Sequence, residues 1–192
     1  TNILATLAAA TIFYISPWLI LTFLSGLVLL VLIVLRLDLV LAATQRAIRQ
    51  VPREQLGMKA PGRDRTVRQL GFHVFRLSAA FVDTREEGHL HEHVFEEQAP
   101  AAMADGEAIA RYGDVVRRRI AAYCARPGWC EGEVSTYYGP QSAHDFMERT
   151  TWHAAQHLRQ IYWFLDRMAV QADSPLTDAD IDGLPIPRDV WS

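Results

Sequence analysis

Cysteine is scarce in this chain, with two in 192 residues. Cys124 and Cys130 bracket ARPGW, and a five-residue spacer matches neither a CxxC redox pair nor common zinc spacing, so two reduced thiols are expected. Net charge is also small: the formal value of −3 supplies no basic field and argues against a nucleic-acid partner. No βαβ pattern, glycine-rich phosphate loop or nucleophile elbow occurs, which removes dinucleotide-binding, P-loop and α/β-hydrolase chemistry. The most pronounced absence is local. From Asn2 to Leu35 there is no charged side chain.

The densest part of that run, PWLILTFLSGLVLLVLIVL from Pro17 to Leu35, is long enough to cross a hydrocarbon layer of about 30 Å as a helix. A transmembrane segment is therefore expected, in preference to a buried core helix or a cleavable signal peptide. Pro17 lacks an amide proton, so the preceding ATLAAATIFYIS is read as a separate lead-in. Basic residues cluster after Leu35 (Arg36, Arg46, Arg49, Arg53, Lys59), and nothing basic but the N-terminal amine precedes the run. The positive-inside tendency then predicts a single-pass protein of the inner (cytoplasmic) membrane, with its C-terminal domain in the cytoplasm. The expected partners are the lipid bilayer and other integral membrane subunits, met through residues 1–35.

Beyond the run, RLDLVLAATQRAIRQV places Leu37, Val40, Leu41, Thr44, Ala47, Ile48 and Val51 at a helical period, so the membrane helix is predicted to continue into a soluble bundle. VPREQLGMKAPGR is a loop by its Pro and Gly punctuation. A second helix is expected from Asp64 as its cap, with Val67, Leu70, His73, Val74, Leu77, Ala80 and Phe81 on its apolar face. GHLHEHVFEEQAP reads as a connector or a short irregular helix, and Ala108 to Ala125 as a third helix. A fourth helix of about 30 residues follows Gly139-Pro140, with a bend or break expected near Thr150 and Thr151. The Pro-rich tail reads as a strap anchored by Ile181, Leu184, Ile186 and Trp191. The predicted fold class is all-α, divided into residues 1–35 (lead-in and membrane segment), 36–172 (four-helix bundle) and 173–192 (strap).

TWHAAQHLRQ sets His153 and His157 one helical turn apart, on the side that carries Phe146, Ile161, Phe164 and Met168. His73 makes the same exception on the second helix. Three inward imidazoles suit zinc, with nickel and iron as alternatives, although a lone inward histidine is ordinarily satisfied by a neighbouring carbonyl. Gln160 shares the stripe and is placed to orient a ligand. Arg159 and Tyr162 point elsewhere and read as surface or packing residues; Arg68 and Arg76 border the helix-two face, where they could meet an anionic substrate, and read first as solvated charge. A second cluster, His89, His91 and His93, lies among glutamates and reads as exposed, and His144 is given no role.

Together, GRDRTVRQLGFHVFRLSAAFVD and ERTTWHAAQHLRQIYWFLD resemble the DinB-like superfamily of four-helix bundles, over roughly residues 36 to 192. That resemblance implies a divalent metal held by His73, His153 and His157, and a low-molecular-weight thiol as co-substrate in a transferase or isomerase. The long apolar run departs from the family pattern. No residue emerges as a general acid or base, so catalytic residues stay unassigned. Two functions follow as expectations: a membrane-tethered, metal- and thiol-dependent transferase, or a non-catalytic accessory or scaffold subunit of a membrane complex. A metal or stress sensor is a weaker third.

Overall fold

Every position of the apolar stripe read between Leu37 and Val51 is buried, and the same holds for the stripe from Val67 to Phe81. The computed structural model describes residues 3–191, and along the first helix it describes side chains at 19, 21, 22, 28, 29 and from 31 onward. Four helices result: α1 (Ile3–Arg49), α2 (Val67–Glu87), α3 (Gly106–Cys124) and α4 (Ala143–Arg167). Helices α1 and α2 each pack on both α3 and α4, while α1 and α2 touch little and α3 and α4 scarcely at all. The pairs α1–α2 and α3–α4 therefore sit diagonally across the bundle while α2 and α3 are adjacent, and the long α1–α2 connection crosses from one corner to the other.

Three short polar segments start the helices. Thr66 accepts the amide of Gln69, Asp105 that of Ala108, and Ser142 that of Asp145. Each supplies an acceptor that the first turn otherwise lacks. The expected Asp64 cap gives way to Thr66, two residues on, because the chain between them is pinned by a Lys59–Thr66 bridge. Helix α4 does not break at Thr150 and Thr151. Both hydroxyls bond the carbonyl four residues back, at 2.8 Å, and their methyls stay in the core.

Close approach sets the α1–α3 contact. A Cβ on Gly106 would lie 2.0 Å from the Ile48 carbonyl oxygen, so only glycine lets α3 begin against the α1 backbone. About one turn on, buried Gln45 donates to the Ala110 carbonyl and to Asp114 and accepts from Arg117, which clasps Asp38 with two bonds.

The all-α expectation needs correcting in one place. Strands β1 (His89–Leu90), β2 (Glu133–Thr136) and β3 (Gly139–Ser142) form a small sheet in that order, with β1 parallel to β2 and β2 antiparallel to β3. This sheet closes the end of the bundle where α2 finishes and α4 begins. It also makes part of the GHLHEH connector extended, and Gly88, at φ 84°, turns the chain out of α2 into it.

The N-terminal part of the fold also differs from expectation. Helix α1 runs unbroken through Pro17, so the lead-in is not a separate element. Among the described residues no helix is long and apolar enough to cross a membrane. Nine of the nineteen positions from Pro17 to Leu35 have side chains outside the described residues, and the transmembrane expectation gains no support here.

The tail does act as a strap, and residues read as ordinary surface hold it. Arg159 on α4 donates to the carbonyls of Pro187 and Arg188, and the Tyr162 hydroxyl accepts the Leu176 amide. The Trp191 ring packs edge-on against Trp163 and Phe164.

Candidate metal centre

Helix α2 brings His73, and α4 brings His153 and His157, to one point in the bundle. One nitrogen from each ring lies within 4.8 Å of the other two. His153 Nε2 and His157 Nε2 are 3.1 Å apart, and the His73 ring meets both edge-on with centroids at 5.6 and 5.1 Å. Two ligands on a tetrahedral ion with bonds near 2.1 Å stand roughly 3.4 Å apart. The α4 pair is therefore already close to the spacing that a single ion asks for.

Protonation supports the same reading. Burial pushes the His73 pKa down to about 2, with His157, Arg65 and His153 adding to the effect. His153 falls to about 3, by burial first and then by His157, Arg149 and Arg65. His157 falls only to about 4, because its bond to Gln160 offsets part of the burial. All three rings are neutral at pH 7, as metal ligands must be.

The strap chooses which nitrogen of His157 carries the proton. Val190 C=O accepts the Gln160 side-chain NH₂ at 2.9 Å and that of Gln156 at 2.8 Å. Gln160 is thereby turned so that its Oε1 meets His157 Nδ1 at 2.7 Å. The proton sits on Nδ1, and Nε2 keeps its lone pair toward the other histidines. Two facing lone pairs 3.1 Å apart are satisfied by one shared proton or one cation, so the donor set fits a divalent ion.

Two cavities flank the triad. One, of about 330 Å³, is lined by His153 and His157 with Arg63, Arg65, Trp152 and Trp191. The other, of about 260 Å³, is aromatic: Phe95, Tyr137, Tyr138, Phe146 and Trp152 surround it, with Arg149 and His153 at its edge. Arg149 lies 4.2 Å from the centre of the Tyr138 ring. Phe146 belongs to the α4 stripe and Trp191 to the strap anchors read from the sequence, whereas Arg63, Arg65, Phe95, Tyr137 and Tyr138 lie outside the four helices, where no periodicity marks them.

The remaining candidates separate clearly. Gln160 does orient a ring, as its place on the stripe suggested. Arg76 is not solvated charge, since it is held by both oxygens of Glu97 at 2.6 and 2.8 Å and by Asp83 at 2.8 Å. Arg68 is likewise spent on the carbonyls of Met103, Ala99 and Pro100. His91 and His93 are exposed, His89 bonds the Ser135 hydroxyl, and the three do not gather as the triad does. His144, Asp145 and Glu148 converge on the first turn of α4, where the Asp145 carboxylate also takes the Ser142 hydroxyl. Cys124 and Cys130 are free thiols, and burial raises the Cys124 pKa to about 11, which makes it a poor nucleophile.

No family model and no curated protein matches the chain in sequence. In structure it is similar to a crystal structure of a DinB-like protein, YjoA, from Bacillus subtilis. The two superpose with a TM-score of 0.58 at 12% identity, over 72% of this chain and 92% of that one. The chain has the DinB-like fold. At that identity the likeness concerns the path of the backbone, and the chemistry has to be argued from the histidines themselves.

Proposed function

We propose that this DinB-like bundle is a divalent-metal protein whose ion is held by His73, His153 and His157, with zinc the first choice. The observation that carries the reading is the convergence of three neutral imidazoles, two buried and His153 half-buried, with His157 locked in a single tautomer by Gln160. The chemistry such an ion supplies when bound is Lewis-acid activation, in which a neighbouring thiol or water loses its proton more readily. The chain provides the surroundings. Trp152 and the Tyr137–Tyr138 pair line an apolar cavity that keeps water from an electrophile, and Arg63 and Arg65 in the other cavity are suited to orienting a charged group. This arrangement supports a thiol-dependent transferase better than a purely structural site, because cavities lie on both sides of the triad. Elemental analysis of the purified native protein, with zinc uptake by a metal-free sample, tests the metal: one equivalent is expected, and neither content nor uptake would sink the reading. Thiol transfer to an electrophile, compared between the native chain and His157→Ala, tests the chemistry separately.

A second reading concerns where the bundle works. Leu19, Leu21, Leu29, Leu32 and Leu35 are each more than half exposed on α1, all but Leu35 ahead of Ile33 and Val34, which pack against the bundle core. Such side chains lose about 25 cal/mol of favourable burial for each Å² left in water, which favours an apolar partner. A lipid bilayer, or other membrane subunits, would provide it, with the bundle serving as a tethered enzyme or accessory subunit. Flotation of the full chain with liposomes, lost on deleting residues 1–35, is the expected result; a full chain that stays with the aqueous fraction would end it.

A further inference from the structure

The metal cavity contains positive charge and nothing to balance it. Neither cavity beside the triad is lined by a carboxylate. Three neutral imidazoles would leave a divalent ion its full charge, and Arg63 and Arg65 add to it from the cavity wall. The other arginines whose ionisation shifts, Arg76, Arg117 and Arg119, are raised and stabilised as cations by Asp or Glu partners. Arg65 moves the opposite way, through burial, and makes one bond, from Nη2 to the Phe95 carbonyl at 3.3 Å. Neither Arg63 nor Arg65 joins an ion pair among the described residues. A half-buried guanidinium with free donors, facing a cation site, is an arrangement that a bound anion completes.

The approach to the site has the same sign. Arg63 and Arg65 also line a larger, open cavity of about 860 Å³, with Lys59 and Arg68 against Asp64 and Glu96. This basic vestibule shares Arg63 and Arg65 with the histidine cavity, and its charge would draw an anion toward them.

Resting on the metal reading above, we propose that Arg65, backed by Arg63, is an anion subsite of the metal cavity, and that the ligand it takes carries a carboxylate in addition to the atom offered to the metal. The planar fork of Arg65 matches a carboxylate's two oxygens, and Phe95 C=O fixes the fork's remaining edge. Arg149 has a different task, since it lies over Tyr138 in the aromatic cavity.

The test uses the full chain loaded with Co²⁺, whose visible absorption reports ligand entry without any turnover. Mercaptocarboxylates of two to four carbons are titrated against their neutral amides, so that the thiol is constant and only the charge changes. At least one acid should bind the native protein about tenfold more tightly than its amide, the size expected of a charge-assisted pair. Arg65→Gln should reduce that preference below about threefold while leaving amide binding unchanged, Arg65→Lys should restore part of it, and Arg149→Gln should leave it intact. Cobalt uptake and the thermal melt of each variant confirm a folded site. An acid and amide that bind equally, or a preference lost in Arg149→Gln instead of Arg65→Gln, overturns the subsite alone. No cobalt spectrum in the native chain overturns the metal reading and this proposal with it.

Discussion

A chain carrying both His153→Ala and His157→Ala should fail to take up zinc at concentrations that saturate the native protein. Structural zinc sites with four ligands are worth roughly 10–16 kcal/mol, or about 3 kcal/mol per ligand, so losing two costs about 6 kcal/mol. That corresponds to a loss of affinity of about 10⁴-fold. The double variant should remain folded, because the rings it removes are neutral and buried and their loss leaves no unpaired charge. The contrast is therefore readable in one experiment: zinc should raise the melting temperature of the native chain and leave that of the variant unchanged. Gln160→Leu provides the graded control. It removes the acceptor on His157 Nδ1 without touching a ligand, and it should weaken zinc by about 10- to 100-fold. If the double variant binds zinc as tightly as the native chain, the ion sits elsewhere and the triad is a packed core cluster.

Which parts of this site could be read beforehand follows from how each residue is encoded. His73, His153 and His157 interrupt apolar stripes of period 3.6, and such an interruption is visible without coordinates. Gln160 was visible for the same reason, being one turn from His157. Arg65 was not, because it precedes the Thr66 cap in irregular chain, and only the tertiary path carries it to the wall of the histidine cavity. Arg159 and Tyr162 point away from the histidines and read as surface or packing residues, and what they pack is the strap. Their partners are strap backbone groups between 14 and 29 residues away, which no local pattern reports. The sheet was hidden by its brevity: β1 has 2 residues, and β3 is Gly-Pro-Gln-Ser, a composition that signals a turn. Its pairing arises because two connectors meet at one end of the bundle.

The same buried imidazoles should make the metal-free protein acid-sensitive in a defined window. In the unfolded chain a histidine titrates near 6.5, whereas in the fold the three sit at about 2, about 3 and about 4. Between pH 6.5 and 4 the unfolded state therefore binds more protons than the native one, and stability rises with pH across that interval. Their contribution is complete above about pH 6.5 and is lost progressively as the pH falls through the folded values, ending near pH 2. With three groups each contributing about 1.4 kcal/mol per pH unit, the limiting slope is about 4 kcal/mol per unit. A domain of ordinary stability, roughly 5–15 kcal/mol, is exhausted within a few units of that slope. The groups around the triad sharpen this behaviour, since Arg65 and Arg149 oppose protonation and Gln160 alone favours it, at His157. Urea denaturation of the metal-free chain at pH 7, 6 and 5 should show a falling midpoint, with His153→Gln losing about a third of the slope. A midpoint that does not move over this range would mean that the rings are solvated and charged in the fold, and would remove the buried neutral triad on which the metal reading depends.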